Sequence, residues 1–167
     1  RLAPSPVKGA PALFVDRDGT VVDDPGYIRD PDAVRLLPGA ISTLQHFRER
    51  GYTLVLVTNQ SGIGRGHFSA EQYDVVEQRL EEILLQHGAR ITASYHCPHS
   101  PEAKPPCPCR KPSPGLYLRA ARELSIDLVR SIYIGDRLRD IDAGRRVGAP
   151  SYLVRSSRSE APPFDPP

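Results

Sequence analysis

The sequence contains no Met and no Trp, and only three Lys (Lys8, Lys104, Lys111) among its 22 basic residues. Its longest apolar runs, such as Leu54-Val55-Leu56-Val57, fall far short of the roughly 20 residues of a membrane span. The first residues lack the apolar stretch of a signal peptide, and the absence of Met means the numbering starts beyond an initiator. Cysteine is scarce and clustered: Cys97, Cys107 and Cys109 are an odd number within 13 residues, unlike the even, dispersed set of a secreted disulfide scaffold. A reducing, cytoplasmic setting is expected, with no membrane partner. The net charge is only +2 and no strip of basic and aromatic residues occurs, which argues against nucleic acid.

What is present fits one ordinary globular domain: 167 residues, 39% hydrophobic and 25% charged. A domain near that size buries about 68–70% of its unfolded surface and needs no disulfides. Residues 1–11 and 156–167 are rich in Pro or Ser and read as loose tails around a domain at 12–155. Inside it, short apolar runs alternate with helical patterns. Ala12–Asp16, Tyr52–Thr58, Ile91–His96, Ser131–Gly135 and Ser151–Val154 read as strands, the first two fully buried. Pro38–Arg50, Ser113–Leu124 and Leu138–Val147 read as helices. Ser69 and Gln72 have capping-box spacing and open a longer helix to about His87, with Tyr73, Val76, Leu80, Ile83 and Leu84 at helical intervals. Asn59–Phe68 reads as a loop, and Gly62, Gly64 and Gly66 match no nucleotide-binding spacing, so they are taken as loop flexibility. Strands separated by single helices predict an α/β, doubly wound parallel sheet, whose ligands sit beyond the carboxyl ends of the strands.

The candidate chemistry falls at those ends. Asp16-Arg17-Asp18-Gly19-Thr20 follows the first strand. Two carboxylates one residue apart repel unless a cation or proton intervenes, which suits Mg²⁺. One could act as nucleophile and the other as general acid and base, although D-x-D-G alone is also a common turn. Thr58-Asn59-Gln60-Ser61 follows the second strand and offers a hydroxyl and backbone N–H groups to phosphate, or simply a turn. Arg110-Lys111-Pro112 precedes a helix N-terminus, where a lysine serves an anion better than it serves the helix. Asp136 follows the fourth strand as a further metal candidate. Asp140 is left open between the metal and the first helical turn, and Asp142 reads as a helix carboxylate.

Cys97-Pro98-His99 and Cys107-Pro108-Cys109, seven residues apart, supply three thiols and an imidazole. That set suits a closed, structural Zn²⁺ site within a loop at 97–112; free thiols or a redox pair are the alternatives. His96 could compete with His99, but strand-end packing is its expected role.

Together, D-R-D-G-T, T-N-Q, C-x-H with C-x-C-R-K-P, and G-D-x-x-x-D resemble the haloacid dehalogenase-like phosphatases. The likeness is to the zinc-containing branch that acts on histidinol phosphate or a heptose 1,7-bisphosphate, and it runs from about Ala12 to Val154. It implies a Rossmann-like sheet with minimal cap and a zinc loop. Asp16 then matches the nucleophile that becomes an aspartyl-phosphate, and Asp18 the acid and base. Thr58, Asn59 (by its N–H) and Lys111 match phosphate holders, and Arg110 a substrate-facing residue. Asp16, Asp136 and the Asp18 carbonyl match the Mg²⁺ ligands; Cys97, His99, Cys107 and Cys109 match the Zn²⁺ ligands. The Gly26-Tyr27 loop is similar to the heptose type, whereas Thr20 is closer to the histidinol type. The expected activity is Mg²⁺-dependent removal of the 7-phosphate from a small bisphosphorylated heptose, by a monomer of one domain. The alternatives are histidinol phosphate hydrolysis and an inactive zinc-stabilised binding module.

Overall fold

Residues of β1 (Ala12–Val15) alternate between two cores, and that alternation explains the architecture. Leu13 and Val15 join one buried cluster, Ala12 and Phe14 the other. A strand apolar on both sides must be covered on both faces. The computed structural model, which describes residues 9–155, shows that arrangement. Five strands form an all-parallel sheet in the order β3-β2-β1-β4-β5, with β2 (Thr53–Asn59), β3 (Ala93–Cys97), β4 (Ile132–Gly135) and β5 (Ser151–Leu153).

On one face, α1 (Ala40–Glu49) supplies Leu44 and α3 (Ala70–Gln86) supplies Val76, Leu80 and Leu84 against Leu13, Val15, Leu54 and Leu56. On the other, α4 (Gly115–Leu124) and α5 (Leu138–Arg146) cover Phe14, Val55 and Val57. Phe14 lies edge-on to Tyr117 and stacked on Tyr133, at centroid distances of 5.2 and 5.1 Å. Burying each such side chain contributes about 1.5–3 kcal/mol. The expected capping box opens α3: Ser69 accepts from the Gln72 N–H at 3.2 Å and Gln72 from the Ser69 N–H at 2.9 Å.

Three expectations need correction. Asn59–Phe68 is not all loop, because a one-turn helix, α2 (Ser61–Gly64), begins at its start. Gly62 and Gly64 are not flexible spacers. A Cβ on Gly62 would lie 2.1 Å from the Phe68 ring and 2.8 Å from Tyr27, and one on Gly64 2.6 Å from the Ser100 backbone nitrogen. Both glycines permit close packing. Finally, the part of residues 1–11 that is described is tied down: Ala10 donates to Ser125 and accepts from Asp127, and Pro11 accepts from Thr53. Residues 1–8 and the expected tail at 156–167 lie outside the described residues.

The chain leaves β1 toward β2 and β3, then returns to β4 on the other side. The strand order therefore reverses between β1 and β4, and their carboxyl ends open a crevice. Among the described residues no second domain is inserted between strands, and no helix is long and apolar enough to cross a membrane.

Candidate active site

Val15 pairs in register with Leu56 and Ile134, so Asp16 leaves the sheet beside Val57 and Gly135. Its backbone N–H still bonds the Ile134 carbonyl at 3.0 Å. Asp136 leaves β4 one step later, and the first turn of α5 turns Asp140 back onto the same place. Asp16, Asp136 and Asp140 are all buried, with ligand oxygens within 4.8 Å of one another. Gly19, with φ +84°, makes the turn after β1, and a Cβ there would lie 2.4 Å from an Asp136 oxygen.

One ammonium faces these carboxylates. Lys111 Nζ is 2.7 Å from Asp16, 2.8 Å from Asp140 and 2.6 Å from the Val57 carbonyl. Burial disfavours the Lys111 charge, but Asp16 and Asp140 more than offset it and its pKa rises. Asp16 is also pushed up, to about 7: burial is the main cause, and Asp140 and Asp18 add to it while Lys111 opposes. The converging carboxylate oxygens, all within 4.8 Å of one another, fit a hard divalent cation. Asp140 thus belongs to the cluster, which its place in a helix's first turn had obscured. Asp142 instead pairs along α5 with Arg146 at 2.6 Å, as a helix carboxylate should.

Thr58 is buried at the end of β2 and accepts from Gln60 at 2.9 Å. The Asn59 side chain, for which nothing was expected, binds the Lys111 backbone. Its Nδ2 donates to the Lys111 carbonyl at 3.1 Å and its Oδ1 accepts from the Lys111 N–H at 3.0 Å. It aligns the lysine backbone with the strand end. Asp18 lines the same cleft, and its carboxylate accepts from Gln60 at 2.8 Å and from the Arg17 fork at 2.8 and 3.1 Å. Arg110 donates to the His99 carbonyl at 3.4 Å. Its pKa is lowered by burial first and then by the charge of Arg139.

A polar cleft of about 130 Å³ joins these parts, lined by Asp16, Asp18, Thr58, Asn59, Asp136 and Asp140 on the inside and by Tyr27, Arg137 and Arg139 toward the rim. Arg65 ties the rim together, bonding the Tyr27 hydroxyl at 3.0 Å and Glu102 at 2.6 Å.

The second cluster lies alongside. Cys97 Sγ is 3.6 Å from Cys107 Sγ and 3.3 Å from Cys109 Sγ, and His99 Nδ1 is 3.5 and 3.3 Å from Cys97 and Cys109. Zn–S bonds near 2.3 Å put tetrahedral ligand atoms about 3.5–3.8 Å apart, so these four donors fit zinc. His96 packs on the Tyr73 ring with centroids 4.2 Å apart, in keeping with its expected strand-end role.

Three participants, Arg17, Gln60 and Glu77, escaped the sequence. Gln60 looked like part of a turn, and Arg17 like the variable residue between two aspartates. Arg17 is 1% exposed and pairs with Glu77 as well as Asp18. The signal for Glu77 was a carboxylate four residues after Tyr73, inside the stripe that α3 buries.

Known proteins share this layout. A family model described as HAD-hydrolase-like matches residues 108–165. The D-glycero-beta-D-manno-heptose-1,7-bisphosphate 7-phosphatase of Photorhabdus laumondii is 45% identical over 90% of this chain and 84% of its own. The protein of the same name from Pasteurella multocida is 43% identical over 80% of this chain and 75% of its own. Among solved structures, the D,D-heptose 1.7-bisphosphate phosphatase from B. bronchiseptica, complexed with magnesium and phosphate, superposes with a TM-score of 0.79. It is 35% identical, over 87% of this chain and 81% of that one. With such identities across most of both chains, and with the same sheet, the protein belongs to the haloacid dehalogenase-like hydrolases.

Proposed function

We propose that the protein removes the 7-phosphate of D-glycero-D-manno-heptose 1,7-bisphosphate through an aspartyl-phosphate on Asp16. The observation that carries this is the placement of Asp16 at the inner end of a polar cleft, against Lys111 and beside Asp136 and Asp140. The names of the relatives supply the sugar.

An Asp16 oxygen attacks phosphorus, the ester P–O bond breaks, and the departing alkoxide takes a proton from Asp18. Asp18 then removes a proton from water, the water oxygen attacks phosphorus, and inorganic phosphate leaves as Asp16 is regenerated. Thr58, the Asn59 N–H and Lys111 hold the phosphoryl oxygens, so that charge is met by groups already in place. Asp16, Asp136, Asp140 and the Asp18 carbonyl would hold Mg²⁺, which when bound neutralises charge on the phosphoryl group. Cys97, His99, Cys107 and Cys109 would hold a structural Zn²⁺ with no position left for substrate. The thiol set supports the cytoplasm as its location, and the domain would act as a monomer on a small phosphorylated sugar rather than on nucleic acid.

Arg139, which lines the cleft, and the expected substrate-facing Arg110 would give the distal phosphate of a bisphosphate a cationic destination. Thr20, whose identity points toward histidinol phosphate, lines an apolar hollow beside α1 and not the cleft. The test is kcat/KM with Mg²⁺ for the heptose bisphosphate, histidinol phosphate and simple phosphate esters. Preference for the bisphosphate is expected. A larger value for histidinol phosphate would replace the substrate, and no turnover of any ester would leave the zinc-stabilised binding module.

A further inference from the structure

Among the described residues Arg17 is the largest side chain that the fold buries completely, and it is held between Asp18 and Glu77. Its Nε and Nη2 grip the two oxygens of Asp18 at 2.8 and 3.1 Å. Its Nη1 is held by Glu77 Oε2 at 3.1 Å, and its guanidinium stands over the Tyr73 ring at 5.2 Å. Burial works against the Arg17 charge, but Asp18 and Glu77 more than compensate, and its pKa rises.

This arrangement is costly for a surface role. A buried ion pair loses several kcal/mol per ion on desolvation, and similar-sized apolar residues often stabilise a fold as well or better. Glu77 also occupies a position of α3 whose neighbours on the same stripe, Val76, Leu80 and Leu84, are apolar. Apolar packing would serve there if stability were the whole purpose. The fork has a geometric consequence instead: a planar guanidinium bound to both oxygens fixes the plane of a carboxylate, which a single hydrogen bond cannot do. Glu77 anchors the far end of that guanidinium to a rigid helix. Gln60 adds a third bond to Asp18 at 2.8 Å from the end of β2.

We propose that Glu77, acting through Arg17, is a positioning residue that aims the Asp18 carboxyl at the leaving-group oxygen. The proposal rests on Asp18 being the general acid, and the experiment separates the two. An alkyl phosphate needs a proton on its departing oxygen, whereas p-nitrophenyl phosphate releases a stable phenolate without one. The ratio of kcat/KM for a primary alkyl phosphate to that for p-nitrophenyl phosphate therefore reports the aim of the acid alone, since steps after departure of the alcohol do not enter kcat/KM.

Glu77→Leu, which removes the anchor, should lower that ratio by about ten-fold or more, a part of the 10²–10⁴-fold that a general acid supplies. Arg17→Lys, which keeps the charge but loses the fork, should do the same, and it carries the test if Glu77→Leu does not fold. Glu77→Gln, which retains an acceptor for Nη1, should restore most of the ratio. Asp18→Asn sets the scale with the largest drop. Equal losses on both esters, or no loss on either, in folded Glu77→Leu or Arg17→Lys would make the pair merely structural and overturn the proposal. An Asp18→Asn protein with an unchanged ratio would overturn the assignment of Asp18 itself.

Discussion

Asp16, Thr58, Asp136 and Asp140 form the inner wall of the cleft, with Lys111 bonded to Asp16 and Asp140, and all five are at most 8% exposed. Across the same cleft Tyr27 is 42% exposed, and the side chains of Arg65 and Glu102 are 37% and 67% exposed. The inner groups stand on strand ends whose positions are set by ladder hydrogen bonds and two apolar cores. The outer groups stand on loops held by a few exposed links and by the Cys/His cluster. Charges kept out of water act strongly and need no rearrangement; charges at a wet rim are screened. On the proposed function, the inner wall would carry chemistry common to many phosphate esters, while the rim would decide which ester enters.

The largest effect should come from the inner wall. Asp16→Asn should lower kcat at least about 10⁴-fold, as expected for loss of a nucleophile. Stability should not fall with it. The folded pKa of Asp16 is raised, so the folded state holds that proton more tightly than the unfolded chain between the ordinary 3.8 and about 7. Stability from this group is therefore lost as pH rises through that window, and a neutral Asn avoids the loss. Thermal unfolding of metal-free protein at pH 8 should place the Asn variant level with or above the wild type.

The next effect should come from the staple that joins rim to wall. Cys97 ends β3, and Cys109 runs directly into Arg110 and Lys111. Cys107→Ser should abolish binding of one zinc per chain, lower the unfolding midpoint by about 5 °C or more, and raise KM more than it lowers kcat. Elemental analysis, a melt and steady-state kinetics on one preparation check all three.

A smaller effect separates packing from flexibility within the rim. In Gly64→Ala the new Cβ meets backbone at Ser100 and Pro98, at 2.6 and 2.7 Å, so the Cys/His loop must shift. A cost of about 1–3 kcal/mol and a several-fold rise in KM are expected. Gly66→Ala meets nothing within 4 Å and bears only its φ of +72°, about 1–2 kcal/mol, so its KM should stay unchanged. Denaturant melts and KM values distinguish the pair.

The smallest effect belongs to Glu102→Gln. The Arg65–Glu102 link is exposed, and KM should change by less than about two-fold, as surface pairs rarely matter more. Arg65 and the Ser100 hydroxyl hold the Glu102 carboxyl down at about 2. The link is thus complete above the ordinary carboxylate value of 4.5 and is lost only as pH falls through about 2. KM profiles of wild type and variant should run parallel from pH 5 to 8.

Much of the inner wall was legible because it lies where regular patterns end. Apolar runs of four to seven residues mark the strands, and polar residues immediately after them must emerge at the crevice. Asp16, Thr58 and Asp136 were found in this way, and the cysteine spacing exposed the second cluster. Asp140 was ambiguous since a carboxylate in a first helical turn is ordinary; only the approach of α5 to the end of β4 turns it onto Lys111. Arg17, Gln60 and Glu77 were illegible for a related reason, as each is an unremarkable polar residue until its partner's position is known.

The sequence by itself determined the succession of strands and helices, hence a parallel sheet covered on both faces, because local periodicity and short connections admit few topologies; where the strand order reverses came from the structure. The sequence also determined which polar residues stand at the strand ends. Only the tertiary structure decided which charges meet one another. Arg17 and Glu77 are 60 residues apart and Asp16 and Lys111 are 95 apart. Pairings at such separations follow from helix placement on the sheet and from the need to compensate every buried charge, and no local pattern encodes either.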